Sequence, residues 1–168
     1  GAAGFIGAHV CRHLIARGDE DLGIDNLNDY YPVSLKHDRL AWIEAGDGGG
    51  RFTFAPCDFA DEAALDTAVA GSGFERIVHL GAQAGVRYSI ENPRAYARSN
   101  LVGHLNLLEL ARTHKVAHLV YASSSSVYGA NREAPFRVED RVDWPVSLYA
   151  ATKRSDELMS ETYAHLFR

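Results

Sequence analysis

Tyr149 and Lys153 stand four residues apart in the stretch YAATK, a spacing that sets both side chains on one face of a helix. An ammonium beside a phenol favours the phenolate, which makes such a tyrosine a usable acid or base near neutral pH. Ser124 lies in YASSSSVYG, where an apolar run ends. A hydroxyl at the C-terminal end of a strand can hydrogen-bond the substrate oxygen on which the tyrosine acts. A Tyr and a Lys four apart also occur by chance on many helices, so the pair gains meaning from what accompanies it.

Gly1, Gly4 and Gly7 recur every third residue in GAAGFIG, at the head of the amphipathic run FIGAHVCRHLIARG. A glycine turn that opens a helix offers free backbone N–H groups and the positive end of the helix dipole, and both favour a phosphate. The plain alternative is a flexible loop with one close helix contact. Asp25 falls 18 residues beyond Gly7, at the end of the strand DLGID. A carboxylate there can accept hydrogen bonds from both hydroxyls of an adenosine ribose. It also repels a 2'-phosphate, and no Arg follows it in DNLND, so NAD is favoured over NADP. Asp25 equally suits a turn ahead of Asn26.

Asp58 closes the strand RFTFAPCDF, where its carboxylate could reach an adenine amino group. It would as readily cap a helix, and Asp61 is the better cap candidate. Leu80, Gly81, Ala82 and Gln83 belong to HLGAQAG at 79–85, whose small residues let a cofactor lie against the backbone or merely permit close packing.

The elements that must position these residues alternate along the chain. FIGAHVCRHLIARG, VSLKHDRLAWIEAG, DEAALDTAVAG, NPRAYARSNLVGHLNLLELARTH and SLYAATKRSDELMSETYAHLF read as helices. Apolar spacing marks them, with Gly18 as a stop and Pro93 at a helix start. DLGID, RFTFAPCDF, RIVHLGAQ and VAHLVYASSSS read as strands between them, and GDGGG at 46–50 as a turn. Short strands alternating with longer helices predict a doubly wound parallel sheet of Rossmann type with helices on both faces.

The 168 residues suit one domain with a sizeable core; 46% are hydrophobic and 23% charged, as in an ordinary globular protein. No run approaches the ~18 to 20 apolar residues of a membrane-spanning helix. The net charge of −5 with no basic cluster argues against a nucleic-acid partner. Cys11 and Cys57 have neither metal-ligand nor disulfide spacing and read as reduced thiols. No metal is expected. No signal peptide or lipidation motif is found, and a cytoplasmic location is expected.

GAAGFIG, DNLNDYY, HLGAQAGVRYSIENP, SSSSVYG and YAATK, in that order and across essentially the whole chain, resemble the motifs of the extended short-chain dehydrogenase/reductases, in their nucleotide-sugar epimerase branch. DNLNDYYPVSLKHDRL and AQAGVRYS are similar to the UDP-glucuronate 4-epimerases in particular. The resemblance implies NAD held permanently, Tyr149 as the acid/base, Lys153 on the nicotinamide ribose lowering the tyrosine pKa, and Ser124 orienting the sugar 4-hydroxyl. It adds Phe5, Ile6, Asn26, Asn28, Phe59 and Asn100 to the cofactor set, and it implies a UDP-sugar substrate and a homodimer. The reaction it implies is a transient oxidation at C4 of the sugar followed by return of hydride to the other face.

Related dehydratases and decarboxylases carry an acid just before VYG, where this chain has Ser125 and Ser126. Hydroxyls do not readily abstract a carbon-bound proton, so epimerisation is favoured, and the same hydroxyls could steady a uronate carboxylate. Arg87 in GVRYS either lies near the substrate or is a solvated surface residue. The competing reading from another class is a non-catalytic NAD-binding module, against which Ser124, Tyr149 and Lys153 speak.

Two departures from the resemblance stand out. Relatives have an apolar strand before the glycine turn, and they continue past the tyrosine helix. Residues 1–168 are therefore expected to be the NAD-binding domain of such an enzyme without its first strand and its C-terminal substrate region. DEDLGID also places acids where the second strand of relatives is usually apolar.

Overall fold

Helix α1 (Phe5–Arg17) turns Ala8, Cys11 and Ile15 inward at spacings of three and four, and Gly18 ends it in the left-handed region (φ 99°). There the Gly18 N–H reaches Ile15 O and the Asp19 N–H reaches Leu14 O, which satisfies carbonyls that the helix end leaves open. The computed structural model describes residues 1–167, which divide into two units. The first holds residues 1–81 with 117–120; the second holds 82–116 and the chain from Tyr121 onward.

In the first unit, β1 (Glu20–Asp25) pairs in parallel with β2 (Arg51–Pro56), from Glu20 opposite Arg51 to Asp25 opposite Pro56. Helix α2 (Val33–Glu44) joins them and buries Lys36, Leu40 and Ile43. The core gathers Ala2, Ala3, Ala8, Cys11, Ile15, Leu40 and Ile43, with Leu27, Phe52 and Phe54 packed against it. Gly23 is required in β1, because a Cβ there would lie 2.6 Å from the Phe52 ring. The acids of DEDLGID also find a role. Burial and a hydrogen bond with Asp21 push the Cys11 thiol far up, so it stays protonated. Helix α3 (Glu62–Val69) is capped by Asp61, whose Oδ1 accepts the Ala64 N–H at 3.1 Å.

β3 (Arg76–His79) pairs with β4 (His118–Tyr121). The described strands thus form two two-stranded sheets rather than one continuous one. Residues 1 and 2 explain the division: their N–H groups both donate to Ile24 O at the end of β1, at 2.6 and 3.1 Å. On its other side, a Cβ added at Gly1 would fall 2.6 Å from Gly81 N, just after β3. Strands are shorter than the apolar runs predict. β2 stops at Pro56, which has no N–H to give a ladder, and β4 stops before the serines.

In the second unit, α4 (Tyr88–Glu91) and α5 (Pro93–Tyr96) lead into a π-helical stretch, Ala97–Val102, and then α6 (Gly103–Thr113). The single long helix expected after Pro93 therefore contains a widened turn. A 3₁₀ turn, Ser125–Tyr128, follows β4, and α7 (Leu148–Leu166) is capped by the Ser147 hydroxyl, which accepts the Ala150 N–H at 3.0 Å. Among the described residues no helix is long and apolar enough to cross a membrane, and no cluster of His, Cys, Asp or Glu could hold a metal ion.

Candidate active site

The glycine turn is closed on itself. The Gly4 N–H donates to Gly1 O at 3.1 Å, and a Cβ at Gly7 would fall 2.0 Å from that same oxygen, so only glycine fits. No side chain caps α1. The N–H groups of its first turn, on Phe5, Ile6 and Gly7, are thus left for an anion. Phe5 and Ile6 are exposed and contribute backbone rather than core packing.

Asp25, buried at the end of β1, accepts the Leu27 N–H at 2.9 Å, the turn geometry that its neighbour Asn26 suggests. Asn26 Oδ1 in turn accepts the Asn28 N–H at 3.2 Å. Lys36 joins this group without having been singled out by its motif. Its ammonium is buried 3.6 Å from Asp25 Oδ1, donates to Asn28 Oδ1 at 3.1 Å and lies over the Tyr31 ring. Its spacing with Leu40 and Ile43 on the buried face of α2 is the signal that could have found it. The acid expected to repel a 2'-phosphate therefore has a cation at its side.

Asp58 Oδ1 accepts the Ala60 N–H at 3.0 Å, a local turn, while Asp61 takes the helix cap. Phe59 is buried, packs edge-on against His79 at 5.1 Å, and leaves room for Gly81 alone: a Cβ there would lie 2.7 Å from the phenyl ring. Close packing and a bare backbone surface coincide at Leu80–Gly81.

In the second unit, Asn100 sits in the π-helical stretch and is fully buried. Its Oδ1 accepts the Gln83 N–H at 2.8 Å, and its Nδ2 donates to Gln83 O at 3.1 Å and to Thr152 Oγ1 at 3.0 Å. Widened turns of this kind are frequent at functional sites. Ala82 is exposed beside the clamped Gln83. Tyr96 donates its hydroxyl to the carbonyls of Ala84 and Gly85, and its ring meets Tyr149 edge-on at 6.0 Å. Arg87 is exposed at the head of α4.

Lys153 has two partners that its motif does not name. The residue is 3% exposed, and its ammonium donates to Ala122 O at 3.0 Å and to Asp156 Oδ2 at 3.1 Å; among the described residues it makes no hydrogen bond to Tyr149. The shared helix face holds, but the charge is drawn to the exit of β4 and to a buried acid. Ser124 Oγ accepts the Ser126 N–H at 3.2 Å and so caps the 3₁₀ turn, with Ser125 exposed and Ser126 partly covered. Asp156 is absent from the motif-based set, although an acid three residues after a lysine on a helix is a legible pairing signal.

The family model described as GDP-mannose 4,6 dehydratase matches residues 1–168. The chain is 52% identical over 167 residues to Protein CapI of Staphylococcus aureus, covering 99% of this chain and 49% of that protein. It is 50% identical over 168 residues to a probable UDP-glucuronate 4-epimerase of Rhizobium meliloti (strain 1021), covering 100% and 48%. Among solved structures it superposes with TM-score 0.84 and 31% identity on UDP-glucuronic acid 4-epimerase from Bacillus cereus in complex with UDP-glucuronic acid and NAD, covering 99% of this chain and 50% of that one. The chain thus spans about half the length of the curated relatives it matches.

Proposed function

The chain belongs to the GDP-mannose 4,6 dehydratase family of extended short-chain dehydrogenase/reductases, and from that premise we propose that it is the NAD-binding Rossmann portion of a UDP-sugar 4-epimerase. We further propose UDP-glucuronate as the substrate and UDP-galacturonate as the product. One observation carries the catalytic part: the bond from Lys153 Nζ to Ala122 O ties the helix of Tyr149 to the strand exit that leads to Ser124. That tie supports the reading of Tyr149, Lys153 and Ser124 as one set.

The residues present fit NAD. The turn whose Gly7 admits no Cβ, the uncapped start of α1 and the bare Gly81 suit a dinucleotide's phosphates and backbone approach. Asp25, Asn26 and Asn28 would hold the adenosine ribose, Asp58 and Phe59 the adenine surroundings, and Lys153 the nicotinamide ribose. NAD, when bound, accepts a hydride from the sugar and returns it.

The chain's own residues do the rest. Ser124 holds the 4-hydroxyl of the sugar, and Tyr149 takes its proton as C4 is oxidised to a ketone, then gives a proton back once the opposite face is reduced. Lys153 supplies positive charge that stabilises the phenolate form. Ser125 and Ser126 hold no carboxyl that could remove a proton from C5, which disfavours dehydration, and their hydroxyls suit a uronate carboxylate. Arg87 can neutralise that carboxylate. A homodimer and a cytoplasmic location accompany this reading.

The test is turnover by the full-length protein of UDP-glucuronate and UDP-glucose, with products separated chromatographically. UDP-galacturonate should form. Faster turnover of UDP-glucose, or accumulation of a 4-keto-6-deoxy product, would overturn the substrate assignment.

A further inference from the structure

We propose that Asp156 is a positioning residue for Lys153: its buried carboxylate fixes the lysine ammonium against the carbonyl of Ala122, at the strand exit that leads to Ser124. The proposal rests on the reading of Lys153 as part of the Ser124, Tyr149 and Lys153 set. The two side chains lie three residues apart on α7 and are 4% and 1% exposed. An ammonium taken out of water needs a counter-charge and fixed acceptors, or its charged form is disfavoured. Asp156 Oδ2 supplies the charge at 3.1 Å and Ala122 O the second acceptor at 3.0 Å. Two of the three ammonium N–H groups are thereby committed to two different elements, and one is left for a ligand.

The acid is held there for the lysine and for little else. Its other oxygen, Oδ1, is buried without a hydrogen-bond partner among the described residues, and burial lifts the carboxyl to about 6 even with the lysine beside it. The other titratable groups that face the pair are Glu157 on the same helix and His104 on α6. Glu157 is engaged by Arg154 at 2.9 Å and by the Ser123 hydroxyl at 2.5 Å. Asp156 is thus the counter-charge that the lysine ammonium meets, with Ala122 O as its neutral acceptor.

Asp156→Asn keeps the shape and an oxygen acceptor without the charge; Asp156→Leu keeps bulk and neither. The first readout needs no turnover. The apparent pKa of Lys153 in the full-length protein is taken from the pH dependence of its acylation by acetic anhydride, followed by peptide mass spectrometry. It should fall in both variants, far enough to give about a tenfold larger neutral fraction at a given pH.

The second readout is turnover of UDP-glucuronate. A misplaced lysine should lower kcat about tenfold to hundredfold in Asp156→Leu and less in Asp156→Asn, with KM little changed. In a Lys153→Met background Asp156→Leu should add no further loss. If Lys153→Met is inactive while both Asp156 variants keep the parental kcat and the parental Lys153 pKa, the proposal is overturned and the site reading stands. If Lys153→Met turns over normally while the acylation pKa shifts, the site reading fails and Asp156 stands as the group that places the lysine.

Discussion

Asn100 grips the peptide of Gln83 from both sides, its Oδ1 accepting the N–H at 2.8 Å while its Nδ2 donates to the carbonyl at 3.1 Å. The same Nδ2 also reaches Thr152, whose hydroxyl donates to Tyr149 O at 2.9 Å. One buried amide thus couples the segment after β3 to the first turn of the tyrosine helix. Asn100→Ala strands the Gln83 N–H and C=O in a buried setting. Each such group costs on the order of 1–3 kcal/mol, so a net loss of about 3 kcal/mol is expected, read as a lower urea midpoint of the full-length protein. An unchanged midpoint would mean that water replaces the amide without penalty.

Tyr149→Phe removes one oxygen and keeps the ring that meets Tyr96 edge-on. Stability and bound NAD should match the parent, while turnover falls about 100- to 10,000-fold. Near-normal turnover would show that another group moves the proton.

Much of this arrangement is legible in the residues. Gly7 and Gly81 stand where the chain admits no side chain, and a period of three glycines ahead of an amphipathic run anticipates the first of them. Ser147 and Asp61 cap their helices as their types suggest. The rest depends on contacts that periodicity does not encode. The π-helical turn at Ala97–Val102 has no compositional signature, so Asn100 reads as one more helical position, and its grip on Gln83 spans 17 residues of chain. Lys36 shares a face of α2 with Leu40 and Ile43 by spacing, but that spacing does not name Asp25, Asn28 and the Tyr31 ring as the groups that receive its charge there. Spacing alone pairs Lys153 with Tyr149, but Asp156 lies on the same face and offers a full charge.

The Asp25 and Lys36 pairing changes what the ribose acid is expected to do. Asp25→Ala removes the carboxylate and leaves the Lys36 ammonium with Asn28 as its oxygen partner. NADP, whose 2'-phosphate that ammonium can meet, should then gain on NAD. The preference of the full-length protein for NAD should narrow by about tenfold or more, the loss of roughly one charge-assisted interaction. Equal affinity of the parent protein for both cofactors would remove the basis for this assignment.

The buried acid of α7 and the buried imidazole of α6 make opposite demands on pH. Burial raises the Asp156 carboxyl from 3.8 to about 6, so the stability it contributes is fully present below its unfolded pKa and is lost as pH rises toward 6. Burial, with Lys153 nearby, lowers His104 from 6.5 to about 4, so its contribution is present above 6.5 and is lost as pH falls toward 4. Between pH 4 and 6 the two slopes cancel. Removing one exposes the other. Asp156→Asn should therefore lose stability relative to the parent on acidification from pH 6 to 4, by about 2 kcal/mol, since the difference in proton affinity between folded and unfolded chain adds about 1.4 kcal/mol per pH unit between the two pKa values and less near each of them. His104→Asn should do the reverse and gain over the same interval. Both are read as variant-minus-parent differences in unfolding free energy, which removes the titration of every other carboxylate. Parallel pH curves for parent and both variants would show that neither group's proton affinity differs between the folded and the unfolded chain within this window.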